Sequence, residues 1–160
     1  MATSILLLRS ARHLHTGLAA LRARFPEAEI VVASQLGTEG VLDRLEVAPA
    51  RRILGAWKRF TPLSFMSSPA GRDAWRRRFD HVAVLWLDPA GAGYDNVNRT
   101  ALTISPGGFL AITPDGAIRS QRASRVLIAE AACAARSLAA LILIAALLWA
   151  PARVLRLIRS

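Results

Sequence analysis

Short apolar runs alternate with helix-periodic stretches along most of this chain. Ser4–Leu8 is an apolar run that reads as a buried strand. Leu14, Leu18, Leu21 and Phe25 recur at helical spacing over Leu14–Arg24, and Pro26 ends that helix. Glu29–Ser34 is β-branched and apolar, a second buried strand. Thr38–Leu45 is a short helix whose start Gly37 and Gly40 weaken, and Arg52–Ala56 is a third strand. Pro69–Phe79 predicts a basic helix, and His81–Leu87 is the clearest strand of all. Tyr94–Ile104 follows as a helix, Gly108–Thr113 as a strand, and Pro114-Asp115-Gly116 as a turn.

Strands alternating with helices imply βαβ units and a parallel sheet. Strands apolar at nearly every position fit, because a parallel sheet is covered on both faces. The expected fold is α/β, a single doubly wound Rossmann-like parallel sheet over residues 1–120. Right-handed crossovers put its switch point between the first strand and His81–Leu87. Such sheets bind ligands at the carboxyl ends of their strands. Arg9–His15 and Asp88–Asn96 would then face one crevice.

The remainder has a different pattern. Ser137–Ala152 is sixteen residues without a charge, and extension back to Ala131 gives 22 with only Arg136 inside. Helical rise turns these lengths into roughly 24 and 33 Å, against about 30 Å of hydrocarbon. Residues 121–152 are therefore expected to be a linker and a membrane helix, with Arg136 snorkelling. Pro151 breaks the pattern, and residues 153–160 form a basic amphipathic tail. Trp149, Arg153, Arg156 and Arg159 are the expected contacts with membrane lipid. A spanning helix would place three arginines on the far side, against the positive-inside tendency; a re-entrant one would not. Both forms stay open.

Composition agrees with this division. Hydrophobic residues are 53% of the 160 and mean hydropathy is +0.33, an excess concentrated in the tail. The net charge of +10 comes from 21 basic and 11 acidic residues, and Lys58 is the only lysine. No zinc-finger spacing, RNP-like aromatic string or helix-turn-helix accompanies that charge, so nucleic acid is not an expected partner. A lone Cys133 excludes an internal disulfide and a thiolate zinc cluster. Ile5–Leu8 is too short for a secretory h-region, and Arg9 and Arg12 follow it at once, so a cytoplasmic domain is expected.

A second basic cluster lies inside the domain: Arg51, Arg52, Lys58, Arg59, Arg72, Arg76, Arg77 and Arg78. Trp57, Phe60, Phe65, Trp75 and Phe79 are interleaved with it. It reads either as a solvated helix face over core aromatics or as a surface for anionic lipid or glycan phosphates.

The chemistry-bearing candidates are few. Gly91-Ala92-Gly93 follows the His81–Leu87 strand, but a dinucleotide fingerprint follows the first strand and needs a third glycine, where Asn96 stands. The turn either reverses the chain or forms a backbone donor nest for a phosphorylated ligand. In the second case Gly91, Gly93, Tyr94, Asn96, Asn98 and Arg99 would line it. His13 and His15 fall on different faces of a helix, so no metal site is expected. There is no P-loop, no Gly-x-Ser-x-Gly elbow and no carboxylate pair that spacing alone can place.

The opening SILLLRSARHLHTGLAALRARFPEAEIVVASQ resembles the first βαβ unit of glycosyltransferase family 9, the ADP-heptose:lipopolysaccharide heptosyltransferases and their relatives. The likeness rests on Ile5–Leu8, Leu14-His15-Thr16, Leu18–Leu21, Arg24-Phe25-Pro26-Glu27-Ala28 and Ile30–Val32. Phe79–Leu85 is similar to a later strand of that family. It covers about residues 1–120 and is specific over the first 34. It implies half of a GT-B fold: the acceptor-side domain, with the domain that would bind the nucleotide-sugar replaced by the apolar tail. Family members carry a Gly-Asp pair before Leu-His-Thr, and that Asp is the expected base. Here Arg12-His13 precedes Leu14-His15-Thr16. Arg12 stands about where that acid should be; arginine stays protonated and cannot act as a base, and His13 is the candidate substitute.

The resemblance thus implies a membrane-anchored, truncated transferase-like protein of bacterial cell-envelope glycan assembly, at the cytoplasmic face of the inner membrane. It would bind a lipid-linked glycan or nucleotide-sugar rather than catalyse alone, with Arg12, His13, Gly91, Gly93, Tyr94, Asn96 and Arg99 as ligand contacts. No cofactor or metal and no catalytic residue is assigned. The alternatives are one half of a split enzyme completed by a partner glycosyltransferase, or a non-catalytic membrane adaptor.

Overall fold

A computed structural model describes residues 3–8, 13–35, 38–44, 48–57, 60–91, 93–128, 131–133 and 135–141. The chain divides into two compact units, Met1–Ala123 and Ser124–Ser160.

The first unit is an α/β layer structure. Its elements in chain order are β1 (Ser4–Leu8), α1 (Leu14–Arg24), β2 (Glu29–Gln35), α2 (Glu39–Leu42), β3 (Arg51–Gly55) and α3 (Pro62–Ser67). There follow α4 (Pro69–Arg76), β4 (His81–Leu85), α5 (Asp95–Ile104), β5 (Gly108–Ile112) and β6 (Ile118–Arg122). The sheet order is β3-β2-β1-β4-β5-β6. The first five strands run parallel, with Leu6 opposite both Val31 and Val82. β1 and β4 lie side by side where the strand order reverses, which is the switch point.

Alternation along the central strands feeds two cores. Ile5, Leu7, Ile30, Val32, Ala83 and Leu85 face Leu14, Leu18 and Leu21 of α1. Gly17 lets α1 approach β4 closely, since a Cβ there would stand 3.2 Å from the Leu85 side chain. The alternate residues Leu6, Leu8, Val31, Ala33, Val82 and Val84 are equally buried. On that side α4 meets β3, and α5 meets β4 and β5.

Two parts of the expected architecture are corrected. The sheet is not wholly parallel: β6 runs antiparallel to β5, with Ile112 opposite Ile118. The cause is the turn. Gly116 N–H donates to Thr113 O at 2.8 Å and Thr113 N–H to Ala117 O at 3.0 Å, and Gly116 takes a φ of +83°. A reversal this tight returns the chain only in the antiparallel sense. The C-terminal membrane helix is also not found: among the described residues no helix is long and apolar enough to cross a membrane. Helical residues 123–128, 131–133 and 135–141 include the charges of Arg125 and Arg136. Trp149, Arg153, Arg156 and Arg159 lie outside the described residues.

Smaller differences concern ends. β4 stops at Leu85, two residues short of the apolar run, because Leu87 N–H turns to the Tyr94 hydroxyl at 3.0 Å. α4 stops at Arg76, and α3 was not foreseen.

Candidate functional site

The carboxyl ends of β1 and β4 open onto the same edge of the sheet. After β1 the first described residue is His13, at the N-cap of α1 with a φ of +61° and no side-chain cap bond. Its carbonyl accepts from Gly17 N–H at 3.0 Å, so the left-handed backbone turns the chain into the helix. The side chain is exposed. Arg12 lies outside the described residues.

After β4 the chain builds a turn held from inside. The Asp88 carboxylate accepts from Ala90 N–H at 2.8 Å, and Asp88 O accepts from Gly91 N–H at 2.9 Å. Gly91 (φ +74°) and Gly93 (φ +76°) both sit in the left-handed region that favours glycine. The two differ in surroundings. A Cβ on Gly91 would lie 2.8 Å from the Trp86 ring, whereas one on Gly93 would meet open space.

Trp86, Tyr94 and Asn98 form the buried base of this turn. The Trp86 indole N–H donates to Asn98 Oδ1 at 3.1 Å, and the Tyr94 hydroxyl takes Leu87 N–H. The side chains of Tyr94 and Asn98 therefore hold the turn instead of lining the crevice, and Gly91 is packed on the indole. Asn98 is buried in α5 because its partner, Trp86, stands twelve positions away at the strand exit. Of the expected ligand contacts, Gly93, Asn96 and Arg99 remain exposed at or beside the start of α5, with His13 at the neighbouring helix.

A turn of this kind offers the first backbone N–H groups of α5 to the crevice, with the positive end of the helix dipole behind them. Asn96 and Arg99 add an amide and a guanidinium, groups that suit phosphate and hydroxyl oxygens. The described carboxylates here are Asp88, engaged in the turn, and Asp95, exposed in the first turn of α5. Nothing in the described residues forms a three-member cluster of metal-ligating side chains.

The same sheet end carries polar groups that sequence reasoning missed. Ser34, fully buried, lies 2.5 Å from the Thr38 hydroxyl, and Gln35 Nε2 donates to Trp57 O at 2.6 Å. The first bond ties the end of β2 to the start of α2, and the second ties the exits of β2 and β3 together. Open grooves occur elsewhere: one of about 220 Å³ by Asp80 and Gly108 at the amino ends of the strands, and one of about 740 Å³ between Phe25 of α1's end and Leu110 and Ile118 of the sheet.

The domain's basic cluster separates. Trp57, Phe60 and Phe65 are core, with Trp57 ring-to-ring distances of 4.9 and 5.0 Å to the two phenylalanines and its indole N–H on Ser68 Oγ at 2.9 Å. Trp75 is not core; it is 47% exposed. Lys58 and Arg59 lie outside the described residues.

No protein-family model matches the chain, and no curated protein and no solved structure is significantly similar to it.

Proposed function

We propose that the first unit is a glycosyltransferase-like binding domain that holds a phosphorylated or lipid-linked sugar at the carboxyl ends of β1 and β4, in bacterial cell-envelope glycan assembly. One observation supports the reading. β1 and β4 are adjacent parallel strands at the reversal of strand order, and sheets of this kind bind ligands at the carboxyl ends of the strands there. The likeness of Ser4–Ser34 to family 9 transferases supports the choice of ligand class. A binding role, not catalysis by this chain alone, follows from the position before Leu14. Arg12-His13 stands there, with Arg12 at about the place of the acid, and the described acids beside the α5 turn are Asp88, which braces it, and Asp95.

Thermal-shift and calorimetric titration of the full chain with nucleotide-sugars and with polyprenyl-phosphate sugars tests this. Stabilisation by at least one of them is expected. Arg99→Ala should weaken that binding by about 1.5–3 kcal/mol, the loss of a charged hydrogen bond, and Asn96→Ala by about 1 kcal/mol. No shift with any of these ligands, or a shift the two substitutions leave unchanged, would remove the crevice from the function.

A further inference from the structure

α4 presents a surface that the crevice reading leaves unused. Its buried residues are Gly71 and Ala74. Three and four residues apart, Arg72, Trp75 and Arg76 therefore share one outward stripe. Trp75 is 47% exposed, although every other described tryptophan is buried. Arg78 follows just past the helix end, itself exposed.

Among the described residues no acid pairs with the charges on this stripe. Arg72 donates to the backbone oxygen of Ser67 at 2.7 Å. The described ion pairs of the neighbourhood take other arginines: Arg77 with Glu29 and Arg52 with Asp43. Asp73 projects to the opposite flank, lining a shallow groove with Arg51, Arg52 and Arg77. Arg72, Arg76 and Arg78 thus form no described ion pair. The adjoining α3 adds Leu63, 81% exposed, and packs on α4.

An exposed indole among arginines is the chemistry of a membrane–water interface. The indole prefers the headgroup level, where its ring is half desolvated and its N–H still finds a partner. Arginines beside it meet lipid phosphates, and the attraction grows with the anionic fraction of the leaflet. A sequence-reading nucleic-acid surface would need base contacts beside these charges, and a non-specific one a longer basic track along the phosphate backbone; one short helix with one ring supplies neither.

We propose that the α4 stripe of Trp75, Arg72, Arg76 and Arg78 is a peripheral contact for an anionic lipid bilayer. The contact needs no sugar in the crevice and no membrane-crossing helix. It lays this face of the domain on the headgroups, with the indole at the level of the glycerol backbone.

The test uses the full chain and vesicles of phosphatidylcholine with or without phosphatidylglycerol, plus brominated phosphatidylcholine as a quencher. The Trp75 signal is the emission difference between the native chain and Trp75→Phe. Binding should favour the anionic vesicles, weaken with added salt, and be accompanied by quenching of that difference. Arg76→Glu with Arg78→Glu should lower vesicle affinity roughly tenfold or more, while the chain still unfolds cooperatively and melts at most a few degrees lower, from the lost cation in the last turn of α4. Vesicle binding that these substitutions leave intact, with Trp75 emission unquenched, would place the contact elsewhere in the chain and overturn the proposal. So would binding of an RNA homopolymer, but not vesicles, through the same arginines.

Discussion

Replacing Gly91 by alanine meets two obstacles at once. The left-handed φ of +74° disfavours any side chain, and the new methyl would press on the Trp86 ring at 2.8 Å. Gly93→Ala meets only the first, because nothing stands near it. Gly93→Ala should therefore cost about 1 kcal/mol, the usual left-handed penalty, and Gly91→Ala about 2–4 kcal/mol. Urea denaturation of the two variants checks this; equal losses would mean that the indole is not packed beneath the turn. Asn98→Leu leaves a buried indole N–H without its acceptor and should cost about 1–3 kcal/mol, with a red shift or broadening of Trp86 emission. The glycine pair was legible as a turn in the sequence. Its sorting into one packed and one open glycine was not, since that depends on a ring five residues back folding under it. Asn98 was misread for the same reason: its partner lies on another element.

Between elements, the clearest tie is the amino end of the two central strands. Ser4 N–H and Ser4 Oγ both donate to Asp80 Oδ2 at 2.8 Å, and Asp80 N–H returns to Ser4 Oγ at 3.3 Å. The Ser4 backbone N–H first, then its hydroxyl and the charge of His81, hold the Asp80 carboxyl below its ordinary value of 3.8. The folded state thus binds this proton less readily than the unfolded chain. Its stabilising effect is present above 3.8 and is lost as pH falls through the lower folded value. Asp80→Asn should melt below the native chain near neutral pH, and the gap should close in acid. A gap that persists below the folded value would mean that charge is not the source.

Elements differed in how openly the sequence declared them. β1, β2 and β4 are apolar at nearly every position because both faces are covered, and their runs stand out. β6 reads Ile-Arg-Ser-Gln-Arg, an edge strand whose place is set by the Thr113–Ala117 turn and not by burial. α3 has six residues and one buried side chain, Phe65. It is defined by the reciprocal bonds of Thr61 and Ser64, a capping box with serine where the usual signature has an acid or amide.

For the whole molecule, alternation alone was enough to place the switch point, because the right-handed crossover leaves few other topologies. The charge surplus was equally visible, but its distribution was not. Ion pairs remove Arg52 and Arg77 from the count and leave the α4 arginines, a distinction that requires knowing which strands bring Asp43 and Glu29 alongside.

The clamp between Ser4 and Asp80 has a consequence for how the chain is made. β1 acquires β2 early: Ser4 meets Glu29, 25 positions on. Its other neighbour, β4, begins at His81, 76 positions from its partner Ile5. Closing the longer loop costs only about 1 kcal/mol more in chain entropy, so equilibrium hardly notices. Synthesis does. At roughly 5–20 residues per second, the ribosome needs several seconds to deliver β4 after β2. Through that interval one side of β1 offers unpaired N–H and C=O groups along a strand apolar from Ile5 to Leu8, a template for mispairing with other nascent chains. The strand most deeply enclosed in the finished sheet waits longest for its second neighbour, and a cellular chaperone would find its most urgent business there.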